Sequence, residues 1–98
     1  MSLTLTSKIK TAEGIELENT YARVLVIDNI NGNKLDCALK LYASKEAYEN
    51  GLQPLKVDFK EYVSNPYDRS LGVDILNLAH DNLIQHLAEQ NITATKNL

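Results

Sequence analysis

The sequence has few of the residues, and none of the motifs, that catalysis, metal binding or covalent cross-linking require. Cys37 is the only cysteine, which excludes an intrachain disulfide and is compatible with synthesis in a reducing cytoplasm. It contains no Gly-rich phosphate loop, Ser–His–acid arrangement or zinc-ligand spacing. A domain of 98 residues also has little room for a catalytic cleft. The sequence therefore predicts a protein that is not an enzyme and takes no cofactor and no metal.

Charge of one sign is not concentrated anywhere in the chain. The net charge is −3, from 13 acidic and 10 basic residues, and the basic residues are scattered. Nucleic-acid binding needs clustered lysine and arginine, because counterion release supplies most of its free energy. No stretch approaches the ~20 apolar residues that span a bilayer, and the first residues lack the apolar run of a signal peptide. We therefore expect a soluble protein that is not exported and has neither nucleic-acid nor membrane partners.

Alternating apolar residues predict two β-hairpins in the first half of the chain. Residues 3–11 alternate with period two, residues 12–14 form a turn at Gly14, and residues 15–17 resume the alternation. From residue 21 to residue 27 both parities are apolar apart from Arg23, which predicts a strand covered on both faces. The Arg23 stem is expected to pack on the sheet, with the guanidinium reaching solvent or a carboxylate.

The second hairpin is the clearest in the sequence. Residues 28–33 form its turn, with Asn31-Gly32 at the tip, a pair that favours a type I′ turn. The return strand places alternate residues inward, namely Leu35, Cys37, Leu39, Leu41 and Ala43.

Helices and a further strand are predicted in the second half. Residues 44–51 suit a short helix that Ser44 caps and Gly51 ends, and residues 56–63 alternate as a strand at an edge or partly exposed, because Glu61 shares its inward parity. A helix is expected from about Leu71 to Asn91, and residues 92–98 are expected to be frayed. Its apolar stripe consists of Gly72, Val73, Leu76, Ala79, His80, Leu83, Ile84 and Leu87.

These elements predict an α+β fold in a single domain over residues 1–98. It would be an antiparallel sheet of four to five strands with one C-terminal amphipathic helix packed on one face.

The remaining chemically capable residues have structural interpretations. His80 lies within the apolar stripe and suits a neutral, hydrogen-bonded core histidine, with a buried pH-responsive role as the alternative, whereas His86 suits a solvated flank. Cys37 lies on an inward strand position and suits a small buried hydrophobe. The loop at 28–33 is rich in oxygen ligands but fails the calcium motif, because Ile30 stands where a ligand is required.

Five exposed aromatic or apolar side chains are candidate partner contacts. Tyrosine buries a large area and keeps a polar tip, which favours interfaces, although isolated surface tyrosines are also common. Tyr42 and Tyr62 fall on outward strand positions, Tyr48 and Tyr67 near loops, and Leu78 on the polar side of the predicted helix.

The string Gly14-Ile-x-Leu-x-Asn-x-Tyr-x-Arg-Val24 resembles a group of small proteins encoded in the structural gene clusters of tailed bacteriophages. Those proteins begin with a short strand, followed by a Gly-aliphatic, Asn-Ala-Tyr, Arg-Val signature, a second hairpin and a C-terminal helix. The segment from Lys45 to Gly51, with the nearby Pro54-Leu55, is also similar to their middle part. The resemblance covers roughly residues 8–63, and this sequence departs from it at Thr20, where alanine is more usual.

The resemblance implies a non-enzymatic virion structural protein of the tail, the baseplate or a fibre attachment point. Such a protein is synthesised in the host cytoplasm and then binds other virion proteins, or copies of itself, in a symmetric assembly. The alternative hypothesis is a small intracellular binding module encoded by a phage, such as an inhibitor or adaptor of a host protein.

Overall fold

The computed structural model describes residues 1–97 and shows an α+β fold built on a five-stranded antiparallel sheet. The strand order is β6-β5-β4-β1-β7, and β2 and β3 form a separate two-stranded hairpin. The strands are β1 (Ser2–Leu5), β2 (Ile9–Lys10), β3 (Glu16–Leu17), β4 (Thr20–Asn29), β5 (Lys34–Tyr42), β6 (Tyr62–Pro66) and β7 (Ala94–Asn97). The helices are α1 (Lys45–Glu49) and α2 (Ile75–Ala88), with a 3-10 turn at Arg69–Leu71. The predicted fold class and strand number are confirmed.

The longest strand pair is the hairpin of β4 and β5. It extends from Tyr21 opposite Tyr42 to Asn29 opposite Lys34. The predicted inward side of β5 is confirmed, because Leu35, Cys37, Leu39 and Leu41 are all buried, although Ala43 lies beyond the strand and is exposed.

The predicted type I′ turn at Asn31-Gly32 is wrong. The left-handed residue of the loop is Asn33, with φ of 50°, and Gly32 does not adopt positive φ. The Asn29 side chain closes the loop instead, since its Oδ1 accepts a hydrogen bond from the Gly32 N–H at 3.0 Å. The loop is therefore four residues long, from residue 30 to residue 33, and its amide cap replaces the tighter turn.

The predicted strand over residues 3–11 is two strands in different sheets. β1 lies between β4 and β7, whereas β2 pairs with β3 across a turn in which Gly14 has φ of 90°. The alternation continues through the break because Leu3, Leu5, Ile9 and Thr11 are all buried. The continuous apolar pattern therefore gives no sign that β1 and β2 pair with different strands.

The prediction that residues 92–98 are frayed is wrong for residues 94–97, which form β7 at one edge of the sheet. Residue 98 lies outside the described residues. β7 pairs with β1 from Ser2 opposite Asn97 to Leu5 opposite Ala94. Lys96 also ties the strand to α2, because its Nζ lies 2.5 Å from Asp81 Oδ1 and donates to Asn77 Oδ1 at 2.6 Å. Backbone pairing and these polar contacts order a segment that has no apolar alternation.

The strand that was predicted over residues 56–63 forms further along the chain, as β6. Val57 forms only an isolated bridge with Thr11, and the strand β6 begins at Tyr62 and includes Pro66. Proline is tolerated there because β6 is an edge strand. The edge position expected from Glu61 fits this placement, and burial raises the pKa of the Glu61 carboxyl, although Lys40 acts in the opposite direction.

The short helix is as predicted, whereas the long one begins later and ends earlier. Ser44 caps α1 by accepting from the Ala47 N–H at 3.1 Å, and Gly51 follows it with φ of 73°. α2 covers 75–88, not 71–91, because the left-handed Gly72 ends the 3-10 turn and Asp74 then caps α2 by accepting from the Leu76 and Asn77 N–H groups.

The residues of α2 that are buried also differ from the predicted apolar stripe. Ala79, Leu83 and Leu87 are buried in one cluster with the leucines of β1 and β5, and Ile75 and Leu78 pack against this cluster. Leu76, which was predicted to belong to the apolar stripe, is 47% exposed. The true apolar side is therefore rotated toward Ile75 and Leu78.

We predict that Leu83→Ala lowers the free energy of unfolding by about 3 kcal/mol, because it removes buried contacts and leaves a cavity. Leu76→Ala is the matched control in the same helix, and its exposure predicts a loss below about 1 kcal/mol. Urea unfolding followed by circular dichroism measures both. Equal losses would contradict the placement of α2.

We also predict a pH-dependent gain from Glu61→Gln. Because the folded state raises the pKa of Glu61, the wild-type protonated form contributes stability below the ordinary value of about 4.5, and this is lost as the pH rises through the folded pKa. Glu61→Gln should therefore be more stable than wild type at pH 7, and the difference should vanish near pH 3. The same substitution at exposed Glu13 is the control, and a difference that is independent of pH would argue against the burial of Glu61.

Candidate interaction surface

One face of the sheet carries side chains that the core does not cover. Successive residues of a strand point to opposite faces, so the residues of β4 and β5 that alternate with the buried ones define what we call the outer face. Its cross-strand rows are Tyr21 with Tyr42, Arg23 with Lys40, Leu25 with Ala38 and Tyr62, and Ile27 with Asp36 and Ser64. Polar and aromatic rows thus lie beside apolar ones.

The apolar rows are strongly exposed. Leu25 is 49% exposed, Ile27 62% and Tyr62 56%. The prediction that residues 21–27 are covered on both faces is therefore wrong at this end of the strand. The reason is that Leu25 and Ile27 point to the face of the sheet opposite the buried cluster. In addition, β1 and β4 differ in length: β1 pairs with β4 only from Thr20 to Ala22, so within residues 1–97 the rest of β4 is paired with β5 alone.

The same difference in length leaves part of the β4 edge unpaired. The Leu39 N–H donates to the Glu61 carbonyl at 2.9 Å, so odd-numbered residues of β5 direct their backbone groups toward β6, and even-numbered ones toward β4. In the paired register, the backbone groups of Val24, Val26 and Asp28 consequently point away from β5. Within residues 1–97 no strand pairs with them there. A row of unpaired backbone groups is a template for another strand.

An aromatic and cationic cluster occupies the other end of the outer face. The Tyr48 ring from α1 lies 5.6 Å from the Tyr21 ring and 5.1 Å from the Tyr42 ring. The Arg23 guanidinium lies over Tyr48, 5.0 Å from its centroid, and Arg23 Nη1 donates to the Tyr21 hydroxyl at 3.3 Å. Arg23 therefore reaches aromatic groups, where solvent or a carboxylate had been expected, and stacking holds its charge in place.

The positive charge of this cluster affects the pKa of the Tyr21 phenol. Burial of the ring raises the pKa of Tyr21, but hydrogen bonds with Ser2 and Arg23 and the charges of Arg23 and Lys45 together lower it below its ordinary value. A cavity of about 520 Å³ opens beside the phenol, and no aspartate or glutamate lines it. Its lining residues are Met1, Ser2, Thr4, Asn19, Tyr21, Arg23, Ser44, Lys45 and Asn97.

The structure brings three of the five predicted contact residues to this surface. Tyr42 and Tyr48 belong to the cluster, and Tyr62 belongs to an apolar row. Tyr67 is only 8% exposed and lies beside Arg69, and Leu78 packs against the core, so both are removed from the candidate surface. Leu25 and Ile27 were missed, because an apolar strand gives no sign of which of its two faces other elements cover.

Cys37, His80 and His86 are all at least partly buried. Cys37 is buried, and this burial, together with the charge of Asp36, raises the pKa of its thiol. His80 is buried with Nδ1 2.7 Å from the Leu76 carbonyl, which confirms a hydrogen-bonded core histidine. The solvated position expected for His86 is wrong, because its Nε2 is buried. Within residues 1–97, no group of three or more His, Cys, Asp or Glu side chains is placed to hold a metal ion.

Two further findings bear on the identity of the protein. No helix in the described part of the chain is long and apolar enough to cross a bilayer. No protein-family model, curated protein or solved structure matches the chain significantly.

We predict that Arg23→Gln raises the pKa of Tyr21, because it removes both a hydrogen bond and a charge from the phenol. Lys45→Gln should raise this pKa less, since Lys45 acts only through its charge. Alkaline NMR titration of the tyrosine rings measures both, with Tyr21→Phe identifying the signal. A larger effect of Lys45→Gln would contradict the direct contact of Arg23 with Tyr21.

Proposed function

We propose that this protein is a non-enzymatic structural component of a tailed-bacteriophage virion, in its tail, baseplate or fibre attachment, and that it acts by binding other virion proteins. The observation that carries the binding role is the exposure of Leu25 and Ile27 on β4 and of Tyr62 on β6, on either side of β5. Contiguous apolar surface of this kind marks interaction sites in soluble proteins.

The virion setting is supported by the resemblance of residues 8–63. Its two most particular residues, Tyr21 and Arg23, both lie on the outer face, beside the apolar rows. These two residues of the motif therefore belong to the same surface as the exposed side chains. A surface that offers apolar area, aromatic rings and a fixed cation is typical of interface composition.

The arrangement of α2 supports the same function. We propose that α2 covers one face of the sheet and leaves the outer face for partners. This is supported by the shared burial of Ala79, Leu83 and Leu87 with strand leucines. The contacts of Lys96 with Asp81 and Asn77 hold the edge strand β7 to the same helix.

The proposal predicts that the chain is a stoichiometric part of phage particles. Purified particles from cells that produce the protein should contain it by quantitative mass spectrometry. The double variant Leu25→Lys/Ile27→Lys should be incorporated at least about tenfold less. Each side chain loses about 1 kcal/mol of further burial, and each introduced charge must be desolvated.

The matched control is Ile15→Lys, at a similarly exposed residue between β2 and β3. It should be incorporated like wild type. A chain found only in the soluble fraction, bound to a host protein, would overturn the virion role and favour the intracellular binding module.

A further inference from the structure

The cavity beside Tyr21 carries positive charge and hydrogen-bond donors, and no acidic side chain lines it. We propose that this cavity binds a carboxylate side chain of a partner protein, with Arg23 as the principal contact. The inference rests on the proposed binding role and names the chemical group that this part of the outer face recognises.

Three neighbouring strands form the floor of the cavity. The strand register places Asn97 opposite Ser2 and Thr4 opposite Tyr21, so these side chains point to the outer face together with Arg23. Asn97 Nδ2 donates to Ser2 Oγ at 3.0 Å and to Thr4 Oγ1 at 2.9 Å. The floor is therefore a polar part of the sheet that hydrogen bonds hold in place.

The Arg23 guanidinium is held in a fixed position, but its charge is not neutralised. Its contacts are the hydrogen bond from Nη1 to the Tyr21 hydroxyl and the stacking over Tyr48. Within residues 1–97 it forms no ion pair, and Lys40 opposite it adds a like charge. The planar guanidinium therefore keeps N–H groups for a further partner, and their spacing matches the two oxygens of a carboxylate.

The Tyr21 hydroxyl supplies a second donor. Burial raises the pKa of Tyr21, but hydrogen bonds with Ser2 and Arg23 lower it below its ordinary value. Hydrogen bonds that favour the phenolate are donated to the phenol oxygen, so both of these contacts leave the hydroxyl proton unused. An acceptor in the cavity can take that proton in a hydrogen bond.

The other donors of the cavity favour a carboxylate over a phosphate. Lys45 adds a second positive charge, and its contact with Glu49 is weak, because the two atoms are 3.9 Å apart and both side chains are exposed. Phosphate sites commonly use backbone N–H groups. Here Ser44 already occupies the Ala47 N–H, so the donors are side chains. One fixed guanidinium and one loosely paired lysine suit a single negative charge.

The position on the outer face assigns this carboxylate to a protein. Arg23 and Leu25 are two residues apart on β4, and therefore about 7 Å apart on the same face. An extended segment can place an acidic side chain on Arg23 while its residue two positions away covers Leu25, which is 49% exposed. The cavity of about 520 Å³ also has room for more than a single ion.

NMR titration with a short peptide tests the site. The probe is acetyl-Leu-Ala-Glu-Ala-amide, and the matched probe has glutamine in place of glutamate. The glutamate peptide should shift the Arg23 side-chain N–H and the Tyr21 ring signals, and should bind at least about tenfold more tightly than the glutamine peptide. Equal binding of the two peptides, or binding of neither, would overturn the proposal.

Variants of the full chain locate the contact. Arg23→Gln should weaken binding of the glutamate peptide at least about tenfold, and Tyr21→Phe about threefold. Lys40→Gln is the matched control, because it removes the same charge from the position opposite Arg23 but from outside the cavity lining. It should bind within about twofold of wild type.

An equal loss in Lys40→Gln would indicate general attraction to a positive surface and would overturn the site. If Arg23→Gln does not fold, Arg23→Lys carries the test. This variant keeps the charge and loses the paired N–H groups, so it must also bind more weakly than wild type. Wild-type affinity of a folded Arg23→Lys would refute the paired contact.

Two readouts report the ligand itself. A bound carboxylate places negative charge beside Tyr21, so the glutamate peptide should raise the Tyr21 pKa and the glutamine peptide should not. An unchanged Tyr21 pKa in the complex would place the ligand elsewhere. Inorganic phosphate is the competing ligand, and tighter binding of phosphate than of the glutamate peptide would overturn the assignment to a carboxylate.

Incorporation into particles separates this inference from the virion role. If particles take up Arg23→Gln like wild type but exclude Leu25→Lys/Ile27→Lys, the carboxylate contact is refuted and the assembly role is kept. If the glutamate peptide binds as expected and particles lack the protein, the virion role is refuted and the carboxylate site is kept.

Discussion

The antiparallel ladder between β4 and β5 is the constraint on which the other contacts depend. It fixes the alternation that buries Leu35, Cys37, Leu39 and Leu41, and it provides the two sides on which β1 and β6 are added. Because β1 accompanies β4 for only part of its length, the ladder extends beyond its neighbour on that side. The core and the exposed surface are thus the two faces of one pair of strands.

The outer face carries apolar and positively charged side chains close to one another. Leu25 and Ile27 offer apolar area, which is favourable against any partner of complementary shape. Arg23 and Lys40 lie directly opposite one another, and like charges in this position are destabilising unless aromatic rings or an anion compensate them. Tyr48 supplies such a ring for Arg23. The folded chain therefore keeps positive charge next to apolar surface.

Local sequence patterns predict this fold correctly where the environment of a residue depends on residues that are close to it in sequence. The alternation of β5 and the Ser44 cap of α1 are of this kind, and both are confirmed. The polar strand β7 could not be found, because an edge strand held by backbone pairing and by Lys96 needs no apolar period. For the surface, tyrosine parity located Tyr42 and Tyr62, whereas the exposure of Leu25 depends on which face of the sheet elements distant in sequence cover.

The pairing of β1 with β7 has a consequence for the order in which the chain folds. Ser2 and Asn97 are 95 positions apart and share a hydrogen bond, so β1 can gain its second neighbour only after the last described residues are available. Contacts of such long range close late, because they require the largest loss of chain entropy. The β4–β5 hairpin, by contrast, is local and forms early. During synthesis the exposed apolar residues of this hairpin are therefore present before β7 completes the sheet.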